Sequence, residues 1–198
     1  MKNPPDTGQD PVPIYTIGYG ARTVDQLLDV LRAQQIAFVI DVRSAPYSRY
    51  KPDFNKDALQ REIQTHQIRY TYMGDTLGGR PNDPSCYTDG KVDYDKIKQK
   101  EFYQQGIRRL EQAYAQQLRV VLLCSEGKPE NCHRSKLIGE TLTGLGITVM
   151  HIDENEQLVD QAAVLARLTA GQLSLFGSHG FTSRKRYEAP GEDEDDDG

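Results

Sequence analysis

The segment LLCSEGKPENCHRS, residues 122 to 135, places Cys124, Glu126, Cys132, His133 and Arg134 within eleven positions. An apolar run precedes it and a helix-like run follows it. Cys124 is read as the last residue of a buried strand, and Arg134 lies near the start of a helix. A helix start offers unpaired N–H groups and a positive dipole end, which favour anions. A nearby cationic side chain adds to this and lowers a thiol pKa. The pattern therefore fits an anion cradle containing a thiolate.

Each residue also has a plainer reading. Cys124 is a nucleophile or a packed core thiol, since cysteine is among the most buried residue types. Glu126 is a general acid or base, or one half of a salt bridge to Arg134 or Arg43. Cys132 is exposed or merely begins the helix. A metal site would combine Cys124, Cys132 and His133 with Cys86 or His151. The C-x7-C-H spacing is not a usual zinc pattern, and adjacent Cys132 and His133 on one helix would point in different directions. No metal and no cofactor are expected, and His151 is read as a core or strand-end histidine.

The surrounding elements alternate. IYTIGYG, IAFVIDVRS, IRYTYM, LRVVLLC and ITVMHI read as five strands. Between and after them lie helical patterns over 22–35, 55–66, 93–117, 134–146 and 156–170. Val24, Leu27, Leu28 and Leu31 share a helical face, and Thr23 with Gln26 fits a capping box. Residues 74–93, rich in Gly, Pro and Asp, form a long loop of the kind that is often functional. This alternation predicts an α/β fold, a single domain with a mostly parallel sheet of about five strands flanked by helices.

In such sheets ligands bind beyond the carboxyl ends of the strands. Gly18, Tyr19 and Gly20 follow the first strand. Asp41, Arg43, Ser44, Ser48 and Arg49 follow the second. Tyr72, Gly78, Gly79 and Arg80 follow the third, and the Cys124 segment follows the fourth. Expected catalytic residues are Cys124, Glu126, His133 and Asp41, the last orienting Arg134 or a substrate hydroxyl. Expected anion binders are Arg43, Ser48, Arg49, Tyr72, Gly78, Gly79, Arg80 and Arg134.

Composition narrows the class. The chain has 198 residues, 37% hydrophobic, and a net charge of −5. The terminal GEDEDDDG holds six of the 29 acids; without it, 24 basic residues face 23 acidic ones, about +1. The body is near neutral and lacks the strongly basic signature of a dedicated DNA-binding domain. The acidic run reads as a solvated end. No apolar run approaches the ~18 residues of a membrane helix, and the N-terminus has no apolar signal region. Three cysteines argue against a disulfide framework, so a cytoplasmic setting with reduced thiols is expected. Oligomeric state is not set by the sequence.

TIGYG, DVRSAPYSR, LGGR and CSEGKPENCHRS, in this order over residues 14 to about 153, resemble the domain-of-unknown-function 488 family. The resemblance implies that Arg43, Ser48, Gly78, Gly79, Cys124, Glu126, Cys132, His133 and Arg134 occupy signature positions. It supplies no reaction. A looser likeness, strand-Cys-loop-Arg-Ser-helix, points to rhodanese and cysteine-phosphatase domains. Those phosphatases use C-x5-R, whereas Cys124 and Arg134 are spaced C-x9-R.

Further on, Gln172, Leu173, Ser174, Leu175 and Phe176 spell QLSLF, which resembles the bacterial sliding-clamp-binding peptide at every position. Leu175 and Phe176 would anchor in a groove, and Gln172 would give polar recognition. The alternative is a terminal strand docked back on the domain. The downstream SRKRY would touch DNA phosphates or solubilise the tail. The expected organisation is a flexible N-terminus (1–11), an α/β domain (12–169) and a flexible tail (170–198). The expected function is an enzyme with an anion-binding active site acting on nucleic acid or nucleotide, recruited to a bacterial sliding clamp in replication or repair. Alternatives are a rhodanese-like sulfurtransferase or phosphatase using a Cys thiolate, and a non-catalytic nucleotide- or DNA-binding module.

Overall fold

A computed structural model describes residues 11–168 and 181–187 of the chain. Six strands form the main sheet: β1 (Ile14–Gly18), β2 (Phe38–Asp41), β3 (Arg69–Tyr72), β6 (Val120–Cys124), β7 (Val149–Ile152) and β8 (Leu158–Asp160). Their order is β3-β2-β6-β1-β7-β8. The first five are mutually parallel, and β8 pairs antiparallel with β7 at the edge. β4 (Tyr87–Thr88) and β5 (Lys91–Val92) form a separate hairpin.

The strand pleat sorts the core into two layers. Tyr15, Ile17, Val39, Val121 and Leu123 face α1 (Val24–Ala33) and α2 (Lys56–Thr65). Ile14, Ile40, Val120 and Leu122 face the other side, with α3 (Gly74–Leu77), α4 (Tyr94–Lys98), α5 (Glu101–Ala115) and α6 (Glu140–Gly144). Both faces are covered, so the strands read as continuous apolar runs. α1 begins at the expected Thr23–Gln26 capping box. Its Leu27, Leu28 and Leu31 are buried to within 1%, a contribution of about 1.5–3 kcal/mol each.

Four details depart from the sequence reading. The 93–117 helix is two helices, α4 and α5, separated at Gln99–Lys100. The stretch 156–160 is not helical; β8 occupies Leu158–Asp160, and α7 (Gln161–Leu168) starts only after it. Three alternating residues sufficed for an edge strand where helical spacing was also satisfied. The helix after His133 opens as a π-helix, Arg134–Gly139, before becoming α6. Finally, part of the expected flexible tail is placed. Thr182 bridges Asp93, Ser183 N–H donates to Val92 O (2.9 Å), and Tyr187 N–H donates to Gly90 O (2.7 Å). Residues 181–187 thus run along the β4–β5 hairpin. QLSLF, residues 172–176, lies outside the described residues.

Candidate active site

The central strands β6, β1 and β2 end together, and the segments after β2 and β6, with Gly79, Arg80, Tyr94 and residues 183–187, line a cavity of about 270 Å³. This is near the lower end of ligand pockets, roughly 300–1,000 Å³. It fits a small ligand or the reacting end of a larger one.

The floor is built from sulfur and imidazole. Cys124 is the last residue of β6. Its Sγ lies 3.2 Å from Cys132 Sγ and 3.9 Å from His133 Nδ1, and Cys132 Sγ lies 3.6 Å from the same nitrogen. All three side chains are buried. Cys132 and His133 therefore converge, contrary to the sequence reading. The reason is local: Cys132 is extended (φ −114°, ψ 151°) and His133 already helical (φ −62°, ψ −22°). The pair straddles the loop-to-helix junction, so helical offset does not separate them.

His133 Nε2 lies 3.2 Å from Val42 O. A carbonyl only accepts, so Nε2 carries a proton, and Nδ1 faces the two sulfurs. Gly79 makes room for the ring, since a Cβ there would sit 2.7 Å from His133 Cγ. The Cys132 thiol donates to Cys124. That bond, with His133 and Arg134 beside it, holds the Cys124 thiol well below its ordinary range despite burial. Burial first, then Cys124, pushes the Cys132 thiol up.

The arginines divide into two kinds. Arg134 is fully buried. Its Nη1 donates to Glu126 O and its Nη2 to Gly127 O, both 2.8 Å. It holds the loop beneath the pocket and does not reach up as an anion fork. Gly18 permits this, because a Cβ there would collide with Glu126 O and Arg134 Nη1. Arg43 grips both carboxylate oxygens of Asp41 (2.8 and 2.5 Å) and donates to Phe54 O (2.7 Å). Tyr70 donates its hydroxyl to the same carboxylate at 2.5 Å. Asp41 and Arg43 are thus a tightly bonded buried pair, and Arg43 also lines the cavity.

The exposed cations form the rim. Arg80, Arg184 and Lys185 line the cavity, with one carboxylate, Glu126, among them. Arg184 pairs with Glu126 at 3.2 Å. Arg80 is anchored by its backbone N–H to Ser44 Oγ (2.9 Å) and lies over the Tyr187 ring at 4.4 Å.

Four other expected residues are elsewhere. Ser48 Oγ accepts from the backbone N–H groups of Tyr50 and Lys51, capping a loop. Arg49 is exposed outside the cavity lining. Tyr72 receives Lys56 over its ring. Gly78 packs against Gly74 O and Ser44. Sequence reasoning missed Arg184, Lys185 and Tyr187 as pocket residues. SRKRY was noticed as basic, but nothing local says that it folds back along the β4–β5 hairpin.

Among the described residues, no helix is long and apolar enough to cross a membrane. A family model described as Domain of unknown function DUF488 matches residues 23–140. That span includes the DVRSAPYSR, LGGR and CSEGKPENCHRS segments but not TIGYG. No curated protein and no solved structure matches the chain.

Proposed function

The chain belongs to the DUF488 family, and from its pocket we propose that it is an enzyme acting on a phosphate-bearing substrate, a nucleotide or the end of a nucleic acid. One observation carries the reading: a thiol–thiol–imidazole floor and a rim of three cations share one cavity. Arginine forks and a lysine ammonium suit phosphate oxygens. Cys124 is the electron-rich atom at the centre, and Glu126 is the carboxylate that moves a proton.

Turnover of nucleoside mono-, di- and triphosphates and short oligonucleotides by the full chain tests this. Conversion of at least one, lost in Cys124→Ser and cut at least 100-fold in Glu126→Gln, is expected. Binding without conversion, unchanged by either substitution, would make the pocket a non-catalytic module.

A second reading gives Cys124 the part of attacking atom, as in a rhodanese-like sulfurtransferase or a phosphatase. Its support is that the Cys132 thiol donates to Cys124, making Cys124 the charged sulfur. Against the phosphatase form stands Arg134, whose guanidinium faces loop carbonyls. A covalent adduct trapped on Cys124 during turnover would decide for this reading.

Recruitment to a bacterial sliding clamp belongs to the same proposal and rests on QLSLF alone. Binding of purified clamp, abolished by Leu175→Ala with Phe176→Ala, is the expected result. No binding by the intact chain removes it.

A further inference from the structure

We propose that Cys124, Cys132 and His133 are a three-ligand site for a zinc-class divalent cation, with the fourth coordination position open to the pocket. The role of that open position rests on the pocket being the active site; the binding of the ion does not.

The distances come first. Zn–S bonds of about 2.3 Å and Zn–N bonds of about 2.0–2.1 Å set tetrahedral edges of about 3.8 Å between sulfurs and about 3.6 Å between sulfur and nitrogen. The two sulfur–nitrogen separations are 3.9 and 3.6 Å. The sulfurs, 3.2 Å apart, need to open by roughly half an ångström as an ion replaces the S–H hydrogen bond. All three donor atoms lie within 4.8 Å of one another.

The chemistry of the donors agrees. Two sulfurs and an imidazole are a borderline-soft set that suits zinc over magnesium or calcium. His133 presents Nδ1 because its Nε2–H is taken by Val42 O, the outer-shell bond that metal-bound histidines use. Gly79 against the ring fixes its position before any ion arrives.

Charge gives an independent indication. Arg134 is fully buried and forms no salt bridge with a carboxylate among the described residues. Its known partners are two carbonyls, which carry no charge. Thiolates held by an ion would supply that counter-charge, since a metal requires deprotonated sulfur.

The site is open, not closed. Cys86 and His151, the two further candidates by type, are engaged elsewhere. Cys86 packs in the core with Val92 and Tyr94, and His151 sits between Thr16 and Gln161. Three protein ligands with a free fourth position are the catalytic zinc pattern. An ion there would acidify a bound water, and Glu126, which lines the same cavity, would take that proton and return it to the leaving group as the water oxygen displaces it. Cys124 then serves as ligand, and nothing is oxidised.

The test uses untagged, reduced, full-length protein. Metal content is measured on purification, and Co2+ is titrated while thiolate-to-cobalt and ligand-field absorption is followed. One ion per chain and intense four-coordinate bands are expected. Cys124→Ser, Cys132→Ser and His133→Ala should each weaken Co2+ by more than the roughly 10–100-fold that loss of an outer-shell partner costs. Cys86→Ser should leave affinity unchanged. Circular dichroism checks that each variant is folded. A folded wild-type chain that takes up no Co2+, or takes it up equally in the three ligand variants, overturns the proposal. Metal bound without turnover of any phosphate compound supports the site and sinks the active-site reading. Turnover by chelator-treated, metal-free protein supports the active-site reading and removes the ion from the reaction.

Discussion

The floor of the pocket and its rim use the same residue types to opposite ends. On the floor, Arg43 and Arg134 are buried, and every donor bond they make is to the protein itself. On the rim, Arg80 and Arg184 are exposed, and their heads line the cavity. Burial confines a guanidinium to partners the protein supplies: the Asp41 carboxylate for Arg43, and two loop carbonyls for Arg134, whose Nε has none among the described residues. An exposed one can give up a weak surface partner, Glu126 for Arg184 or the Tyr187 ring for Arg80, to a substrate. Arginine near a thiol is thus no sign of anion binding until its burial is known.

The contrast is tested first where the effect should be largest. Asp41→Ala strands the buried Arg43 and should cost about 3–5 kcal/mol. With about 2–4 °C per kcal/mol for a domain of this size, the melting temperature should fall by roughly 6–20 °C. A fall under 2 °C would mean that the Asp41–Arg43 pair is not structural.

The next effect lies in pH. His151 is buried between the Thr16 hydroxyl and Gln161 Oε1, at 2.7 and 2.6 Å. Burial lowers its pKa from 6.5 to about 4, with the Arg134 charge acting the same way and Gln161 and Asp160 opposing. Between pH 6.5 and 4 the unfolded chain gains a proton that the folded chain refuses. Stability is complete above this window and is lost on acidification, by about 3 kcal/mol at most. Denaturant unfolding at several pH values should show that slope, and His151→Gln should flatten it.

A smaller loss is expected at Gly79→Ala. The new methyl would meet the His133 ring, costing about 1–3 kcal/mol by overpacking and displacing Nδ1 from the sulfurs. Weakened Co2+ uptake with a modest melting shift is the expected pair of results. The smallest stability effect belongs to the rim. Arg80→Ala should change unfolding free energy by no more than about 0.5 kcal/mol while weakening phosphate-bearing ligands. Equal losses in stability at Arg80 and Asp41 would erase the distinction between rim and floor.

Much of this was legible in the chain. Five parallel strands, the Thr23 cap and the cluster at residues 124–134 follow from local periodicity and spacing. The Asp41–Arg43 pairing and the burial of Arg134 were not legible, since Tyr70 and Phe54 arrive from other elements and Arg134 turns back on Glu126 and Gly127 of its own loop. The convergence of Cys132 with His133 was hidden by one residue of backbone conformation at the helix start. Arg184 and Lys185 were hidden because the short β4–β5 hairpin and a basic tail carry no local mark that they meet.

Calorimetric titration of a nucleoside monophosphate into the intact chain and into an Arg80→Ala, Lys185→Ala variant tests the central claim most directly. The account predicts binding that weakens as salt rises and falls at least tenfold in the variant, whose melting temperature stays within a few degrees of the parent. Absence of binding, or equal binding by both proteins, would contradict it.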